Sequence, residues 1–243
     1  MSIRCDLKDK SNTWQIFDLI SQRYDFLNRF LSLGIDRYWR RVLVGAFPKK
    51  KDLVYVDLAT GTGDVILAAL RLKKLGFSRV IGLDRSENML AIAKDKLSQA
   101  KLPVEIRCAD AANSPIEALS VDVVTMAFGI RNVADVSMVF RDIYRMLKPG
   151  ATLLILEFSL PENRAFRFVY LFYFRRILPF LGRLFSGHRY AYGYLNQSVE
   201  DFPYGEAFVA KVEDAGFESV TCRNLSFGIV SIYEAKKPVS CES

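Results

Sequence analysis

A glycine-rich turn between two acidic residues is the feature of this chain most closely tied to a chemistry. A short apolar run ends in Asp57, Gly61 and Gly63 follow, and Asp64 opens a segment with helical apolar spacing. Glycine permits positive φ and lets a ligand approach the main chain. A helix that starts after the turn presents unpaired N–H groups. A strand, a glycine turn and a helix start are together typical of a nucleotide-binding loop.

The residues around this turn favour a cationic nucleotide over a dinucleotide. The dinucleotide fingerprint has a third glycine three residues after the second, where this chain has Ile66. The carboxylates of Asp57 and Asp64 oppose a pyrophosphate and suit a sulfonium with an amino group. We therefore predict S-adenosylmethionine as the cofactor. Taken alone, the motif favours a simple tight turn in an α/β domain.

Two further acids end apolar runs, at the spacing of successive βαβ units. Asp84 ends the run 79–84, and Asp110 ends the run 104–110. An acid at the tip of the second strand can accept hydrogen bonds from both ribose hydroxyls, and Asp110 is placed to meet the adenine amino group. Single acids at such positions often only cap helices or form turns. Three at successive strand ends favour an adenosine site.

Alternating strand and helix patterns from residue 53 to about 158 predict an α/β fold with a parallel doubly wound sheet. The predicted elements include helices 65–75, 86–97 and 136–147, strands 121–128 and 151–158, a later helix 204–215 and a strand pair 220–225 and 229–235. We treat the 243 residues as one domain. Its predicted parts are a helical lid (1–50), a cofactor-binding core (51–159), a substrate cap (160–200) and a C-terminal helix with the strand pair (201–243).

The segment 165–185 is dense in aromatic residues and arginine. Its arginines and Pro179 divide it into apolar stretches much shorter than the about 20 apolar residues that a membrane-spanning helix needs. The composition favours an amphipathic cap over a large apolar ligand, or a surface that touches a membrane. A helical hairpin with an aromatic core is the structural alternative.

Charge and cysteine usage limit the classes of partner. Lys and Arg number 34 against 27 Asp and Glu, and this net charge of +7 suits nucleic acid, an anionic membrane or ordinary solubility. The N-terminus lacks the apolar region of a secretory signal. His188 is the single histidine, and the cysteines, which are Cys5, Cys108, Cys222 and Cys241, form no CxxC pair. We expect a cytoplasmic protein without a metal site.

Four blocks together resemble the UbiE/COQ5/MenG quinone C-methyltransferases, over Phe17 to Lys236. The blocks are the N-terminal residues Phe17-Asp18, Tyr24-Asp25, Asn28, Ser32, Gly34 and Trp39-Arg40; the glycine turn 57–64; Phe128-Gly-Ile-Arg-Asn-Val133; and 145–150 followed by 156–159. The chain departs from the family pattern at Asp36, usually histidine, Ala127, often serine, Ala151, usually glycine, and Gln197, usually glutamate. These departures leave fine substrate specificity open.

The resemblance implies a class I S-adenosylmethionine-dependent methyltransferase with a Rossmann-like sheet of seven strands. It implies methyl transfer to a ring carbon of a prenylated quinol in menaquinone or ubiquinone biosynthesis, with demethylmenaquinol favoured. Peripheral membrane contact and a homodimer are compatible with it, and no nucleic acid partner is expected. Another small-molecule methyltransferase, an RNA methyltransferase and a non-catalytic protein of the same fold are the rivals. The chain shows no RNA-binding module and no Asn-Pro-Pro-aromatic tetrad.

The resemblance also implies roles for particular residues. The cofactor-binding residues carried over are Gly61, Thr62, Gly63, Asp84, Asp110, Ala111 and Ala127. Arg131 is the first catalytic candidate, since it could stabilise the quinol oxyanion or hold a water that takes the proton. Asn132 could orient the same group, and Tyr24 could close over the pocket. The alternative for Arg131 is a salt bridge to Glu157.

Overall fold

The computed structural model describes residues 13–72, 74–100, 102–177 and 189–239. The strands are β1 (Leu53–Leu58), β2 (Phe77–Asp84), β3 (Val104–Cys108), β4 (Val121–Ala127), β5 (Leu147–Phe158), β6 (Glu218–Leu225) and β7 (Val230–Lys236). They form one sheet in the order β3-β2-β1-β4-β5-β7-β6. The first five strands are parallel, and β7 runs antiparallel to β5 and β6.

The described helices flank this sheet. They are α1 (Trp14–Leu31), α2 (Asp36–Gly45), α3 (Asp64–Leu70), α4 (Glu87–Leu97), α5 (Val136–Met146), α6 (Arg164–Phe172), α7 (Arg189–Asp201) and α8 (Glu206–Asp214). Ser86 caps α4 by accepting a hydrogen bond from Met89 N. None of the helices within the described ranges combines the length and the apolar character needed to cross a bilayer.

Two apolar cores lie on opposite faces of the sheet. Along β4, Val124 and Met126 belong to one core and Val123 to the other. Successive side chains of a strand point to opposite faces, so both faces need cover. Helices α5 and α8 cover the first core, and α2 and α3 cover the second. The predicted doubly wound α/β fold with seven strands is confirmed.

Two predicted boundaries are wrong by more than two residues. The helix predicted for 65–75 ends at Leu70, and single turns closed by hydrogen bonds from Leu72 N and Leu75 N continue its apolar spacing. β5 begins at Leu147 rather than 151. Its register with β4 is irregular at this end, and Gly150 there has φ 74°. A bulge with a left-handed glycine keeps the chain in the sheet before the predicted start of this strand.

The C-terminal prediction of a helix and a closing strand pair is confirmed by α8, β6 and β7. In the predicted cap, α6 continues into a π-helical turn, Tyr173–Ile177, and α7 follows. Residues 178–188, with Pro179 and His188, lie outside the described residues, as do Cys5 and Cys241.

Candidate active site

A cavity of about 340 Å³ lies at the carboxyl ends of the central parallel strands. The strand order reverses between β1 and β4, and ligands of open α/β sheets bind in the crevice at such a point. Gly61 after β1, Asp84 at the end of β2, Asp110 after β3 and Ala127 at the end of β4 all line it. Ala111 lines it too. Five of the seven predicted cofactor residues therefore meet around one cavity.

The N-terminal helix roofs this cavity. Thr13, Trp14, Phe17 and Tyr24 line it, and the rings of Phe17 and Tyr24 meet edge to face with centroids 6.1 Å apart. An aromatic roof excludes water and offers flat apolar surface to a planar ligand.

Two carboxylates of α1 hold the roof on α4. Asp18 accepts hydrogen bonds from the Ser86 hydroxyl and from Asn88 Nδ2, the latter at 2.7 Å. Asp25 pairs with Lys96 Nζ at 2.5 Å. The two attachments lie about two helical turns apart on α1, so they fix its orientation over the cavity as well as its position.

Asp84 is anchored by the main chain of the loops on either side. Its Oδ2 accepts a hydrogen bond from Gly61 N at 2.8 Å, and its Oδ1 accepts one from Ser86 N at 2.9 Å. Burial raises the pKa of Asp84 above its ordinary value, and these backbone donors oppose the rise. A carboxylate has about four acceptor positions, so this fixed group can also receive hydroxyls from a ligand in the cavity.

Thr62 and Gly63, both predicted to bind the cofactor, do not line the cavity. The Thr62 hydroxyl is buried, donates to Asp25 at 2.6 Å and accepts from Lys96 Nζ at 2.9 Å. Gly63 caps α3 with φ 80°, and a Cβ there would lie 2.9 Å from Leu97 Cδ1. These two residues fasten the loop to α1 and α4.

Asp57 lies buried beneath the glycine turn. Its carboxylate accepts hydrogen bonds from the hydroxyls of Thr60 at 2.6 Å and Thr125 at 2.5 Å. Burial raises its pKa from 3.8 to about 6, and the two hydroxyls oppose that rise. Asp57 is outside the cavity lining, so it acts on a ligand only through its charge and through the shape of the loop.

The raised pKa of Asp57 makes stability depend on pH. The native state holds this proton between pH 3.8 and about 6, where the unfolded chain releases it, so its contribution to stability is lost as pH rises through that window. We expect Asp57→Asn to be more stable than wild type by about 3 kcal/mol above the window and equal to it below. Urea unfolding at several pH values measures the difference. Asp52→Asn, at an exposed position, is the control. A difference that does not change with pH would contradict the assignment.

Tyr24 and Asn132, two of the predicted catalytic residues, line the cavity. Burial raises the pKa of Tyr24 above 10.0, although a hydrogen bond with Asn28 and the charge of Arg131 oppose this. Its hydroxyl therefore stays protonated and can donate. Asn132 is held in place, since its Nδ2 donates to Phe128 O at 3.2 Å and its Oδ1 accepts from the Tyr194 hydroxyl at 3.0 Å.

Arg131 lies behind the cavity rather than in its lining. Its guanidinium is buried, pairs with Glu157 at 2.7 Å and donates to Phe128 O at 2.7 Å. Its Cζ lies 5.3 Å from the centre of the Phe158 ring. The structure thus contains the salt bridge that the sequence offered as the alternative for Arg131.

The loops after β1 and β4 touch at a position that only glycine fits. Ala59 and Phe128 both line the cavity in left-handed backbone conformations, with φ 50° and 56°. Such conformations in residues with side chains cost stability and cluster at functional sites. A Cβ added at Gly129 would lie 2.6 Å from the Cβ of Ala59.

We expect Gly129→Ala to lower the unfolding free energy by about 1–3 kcal/mol, because overpacking forces the two loops apart. Adding Ala59→Gly removes the clashing methyl group and suits the positive φ, so the double variant recovers most of the loss. Thermal unfolding of the single and double variants measures this. Equal losses in both would show that the contact does not matter.

The sequence did not identify Trp14 and Tyr170 as candidate residues of the site. Trp14 lines the cavity beneath Arg85, whose Cζ lies 5.8 Å from the ring, and its indole N–H has no hydrogen-bond partner among the described residues. The buried Tyr170 hydroxyl also has none there, and the charge of Arg131 acts on it. Their aromatic character was visible in the sequence, but their positions depend on how distant helices pack.

Comparison with known proteins adds independent findings. Residues 5–237 match the model of the ubiE/COQ5 methyltransferase family. The chain is 44% identical to the demethylmenaquinone methyltransferase of Thermus thermophilus over 92% of this chain and 100% of that protein. It is 42% identical to the ubiquinone/menaquinone biosynthesis C-methyltransferase UbiE of Geobacter sulfurreducens, over 91% and 87% respectively. A Thermotoga maritima SAM-dependent methyltransferase structure superposes with a TM-score of 0.63 at 21% identity, covering 92% of this chain and 99% of that one; this likeness shows the fold alone.

Proposed function

The chain belongs to the ubiE/COQ5 methyltransferase family, and from that premise we propose that it transfers a methyl group from S-adenosylmethionine to a ring carbon of a prenylated quinol. The match to the full length of the Thermus thermophilus relative carries this proposal. That relative is named a demethylmenaquinone methyltransferase, as is a 37% identical relative from Chlorobaculum tepidum. A demethylmenaquinol is therefore our proposed acceptor, and menaquinone biosynthesis our proposed pathway.

The donor set of the cavity fits the cofactor. The anchored carboxylate of Asp84 suits a pair of ribose hydroxyls, and Asp110 with Ala111 offers a polar and an apolar contact to adenine. The carboxylates of Asp57 and Asp84 favour a cation near the loop. When bound, S-adenosylmethionine supplies an electrophilic methyl group carried on a positively charged sulfur.

On the acceptor side, the lining residues favour a reduced ring. Methylation at carbon needs electron density that a quinol oxygen supplies as it gives its proton to water. The ring carbon would take the methyl group as the donor's carbon–sulfur bond breaks, and would then release its own hydrogen to water as a proton while the oxygen regains one. The Tyr24 hydroxyl, kept protonated by its raised pKa, can donate a hydrogen bond to that oxygen and stabilise the developing charge. Asn132, fixed at both ends of its amide, can orient the ring. In-line transfer then depends mainly on holding the two reactants in place.

In this account Arg131 is a positioning residue. Its guanidinium joins Glu157 at the end of β5 to the Phe128 carbonyl at the end of β4. It thereby sets the shape of the loop that carries Asn132.

The prenyl tail of the proposed acceptor partitions into lipid, and so we also propose peripheral contact with a membrane.

A direct assay tests the proposal. Purified protein is supplied with isotopically labelled S-adenosylmethionine and with naphthoquinol or benzoquinol acceptors of equal prenyl length, and the products are identified by mass spectrometry. We expect ring-methylated naphthoquinol, and no product from the matched oxidised quinone. Preference for the benzoquinol would replace the acceptor and keep the class of reaction. Cofactor binding without transfer to either ring would contradict the enzymatic function and favour a non-catalytic binding protein.

A further inference from the structure

Helix α6 turns an apolar stripe outward. Phe168, Val169 and Phe172 are 74%, 61% and 57% exposed. Phe172 lies four residues after Phe168 and three after Val169, so it neighbours both on the helix surface and joins them into one stripe. The opposite face of the same segment is also apolar and buries Tyr170 and Phe174. A surface helix ordinarily buries its apolar stripe and exposes polar residues, whereas α6 has an apolar face on each side.

Phe227 extends this exposed surface from a different part of the chain. It lies in the turn between β6 and β7, is 84% exposed and has φ 59°. Its ring meets that of Phe166 on α6 edge to face, with centroids 5.3 Å apart. A left-handed conformation in a residue with a side chain costs stability and is found most often at functional sites, and contiguous exposed apolar surface marks a site of interaction with a protein or a membrane. We call Phe168, Val169, Phe172 and Phe227 the outer stripe.

Positive charge lies beside the outer stripe. The described residues 163–177 contain four arginines and no Asp or Glu, in a chain whose net charge is +7. Arg164, Arg175 and Arg176 are exposed around the stripe, and Glu200 pairs with Arg175. Exposed aromatic rings beside arginines are typical of segments that lie in the interface of an anionic bilayer.

The outer stripe and the cavity lie on opposite sides of α6. The buried face of α6 packs against Phe158. The Phe158 ring in turn lies 4.7 Å, centroid to centroid, from that of Phe128, which lines the cavity. One helix, about 10 Å across, therefore separates the exposed apolar surface from the packed residues beside the proposed acceptor site.

We propose that the outer stripe docks on the surface of an anionic lipid bilayer and that a prenylated acceptor reaches the cavity past α6. The second half of this statement rests on the proposed function; the first does not. Charge complementarity selects a bilayer over a second copy of the chain, because pairing two faces that are rich in arginine would bring like charges together.

Vesicle binding tests the docking surface directly. The full chain is sedimented with vesicles of phosphatidylcholine alone or mixed equally with phosphatidylglycerol. We expect binding to the anionic vesicles only, and a loss of about tenfold or more in Phe168→Ser/Phe172→Ser, from the apolar area withdrawn from lipid. Arg164→Gln/Arg176→Gln should weaken binding and reduce its salt dependence. Leu119→Ser/Val239→Ser removes two side chains that are 56% and 66% exposed elsewhere and is the matched control.

We call Phe168→Ser/Phe172→Ser and Arg164→Gln/Arg176→Gln the outer variants. Vesicle binding by both of them that equals that of the wild type would overturn the proposal. So would a wild type that ignores vesicles but forms a dimer, seen by light scattering, which Phe168→Ser/Phe172→Ser converts to monomer. Thermal unfolding confirms that the variants are folded.

Turnover separates this proposal from the proposed function. The outer variants should lose turnover of a long-tailed quinol held in vesicles, and keep wild-type turnover of a short-tailed, water-soluble quinol. If wild type methylates neither quinol, the proposed function fails while the vesicle result still decides the docking surface. If the variants bind vesicles less but turn over the long-tailed quinol normally, the route past α6 is wrong.

Discussion

Replacing Asp84 with alanine should raise the dissociation constant for S-adenosylmethionine about a hundredfold. Hydrogen bonds to a charged group contribute about 1.5–3 kcal/mol each, and two ribose hydroxyls would lose such a partner. A loss of about 3 kcal/mol is two orders of magnitude in affinity. The fold should persist. Removing a carboxylate whose pKa is raised by burial relieves its desolvation, and this gain opposes the cost of leaving Gly61 N and Ser86 N unpaired.

Calorimetric titration measures this dissociation constant, and two further variants provide comparisons with smaller expected losses of affinity. Asp110→Ala removes an exposed carboxylate that pairs with Arg85 at 3.3 Å, so its loss of affinity should be nearer tenfold. Asp52→Ala, which lies before β1 and outside the cavity lining, should bind as wild type does. Unchanged affinity in Asp84→Ala would remove Asp84 from the cofactor site and, with it, the ribose assignment.

The residues that converge on the cavity could be predicted because they follow strands. The carboxyl ends of parallel strands meet at one edge of a sheet, so identifying each apolar run was enough to bring Asp84, Asp110 and Ala127 together. The parallel doubly wound sheet followed from the same alternation, and the number of seven strands followed from the family resemblance. These parts of the structure depend on local pattern and on topology, which sequence carries well.

The remaining features depend on contacts between residues far apart in the chain. Whether Thr62 faces the ligand or the roof depends on the path of a turn whose glycines adopt positive φ. The attachments of Asp18 and Asp25 to α4 join residues about 70 positions apart, and they orient the helix that carries Trp14. No periodicity encodes such pairings. The bulge at the start of β5 could not be predicted for a related reason, since register is a property of two paired strands.

The Arg131–Glu157 pair carries the second large expected effect. Glu157 is 0% exposed, and burial raises its pKa even with Arg131 beside it. Arg131→Ala should therefore cost about 3–5 kcal/mol of stability, because it leaves a buried charge without its partner. The loss should grow as pH rises above the ordinary pKa of glutamate, since the native state must then hold Glu157 protonated. Turnover should fall with it.

The double variant Arg131→Met/Glu157→Gln separates position from chemistry. It removes both charges and keeps an amide oxygen that can accept the hydrogen bond from Phe158 N, which is 2.8 Å from the carboxylate in the wild type. We expect it to regain most of the stability, to lose the pH dependence of the single variant, and to recover a substantial part of kcat, because Arg131 acts through the loop that carries Asn132. Urea unfolding and single-turnover methyl transfer measure these quantities. If the double variant is stable, binds the cofactor normally and still transfers no methyl group, then the guanidinium itself acts on the acceptor, as the family resemblance first implied.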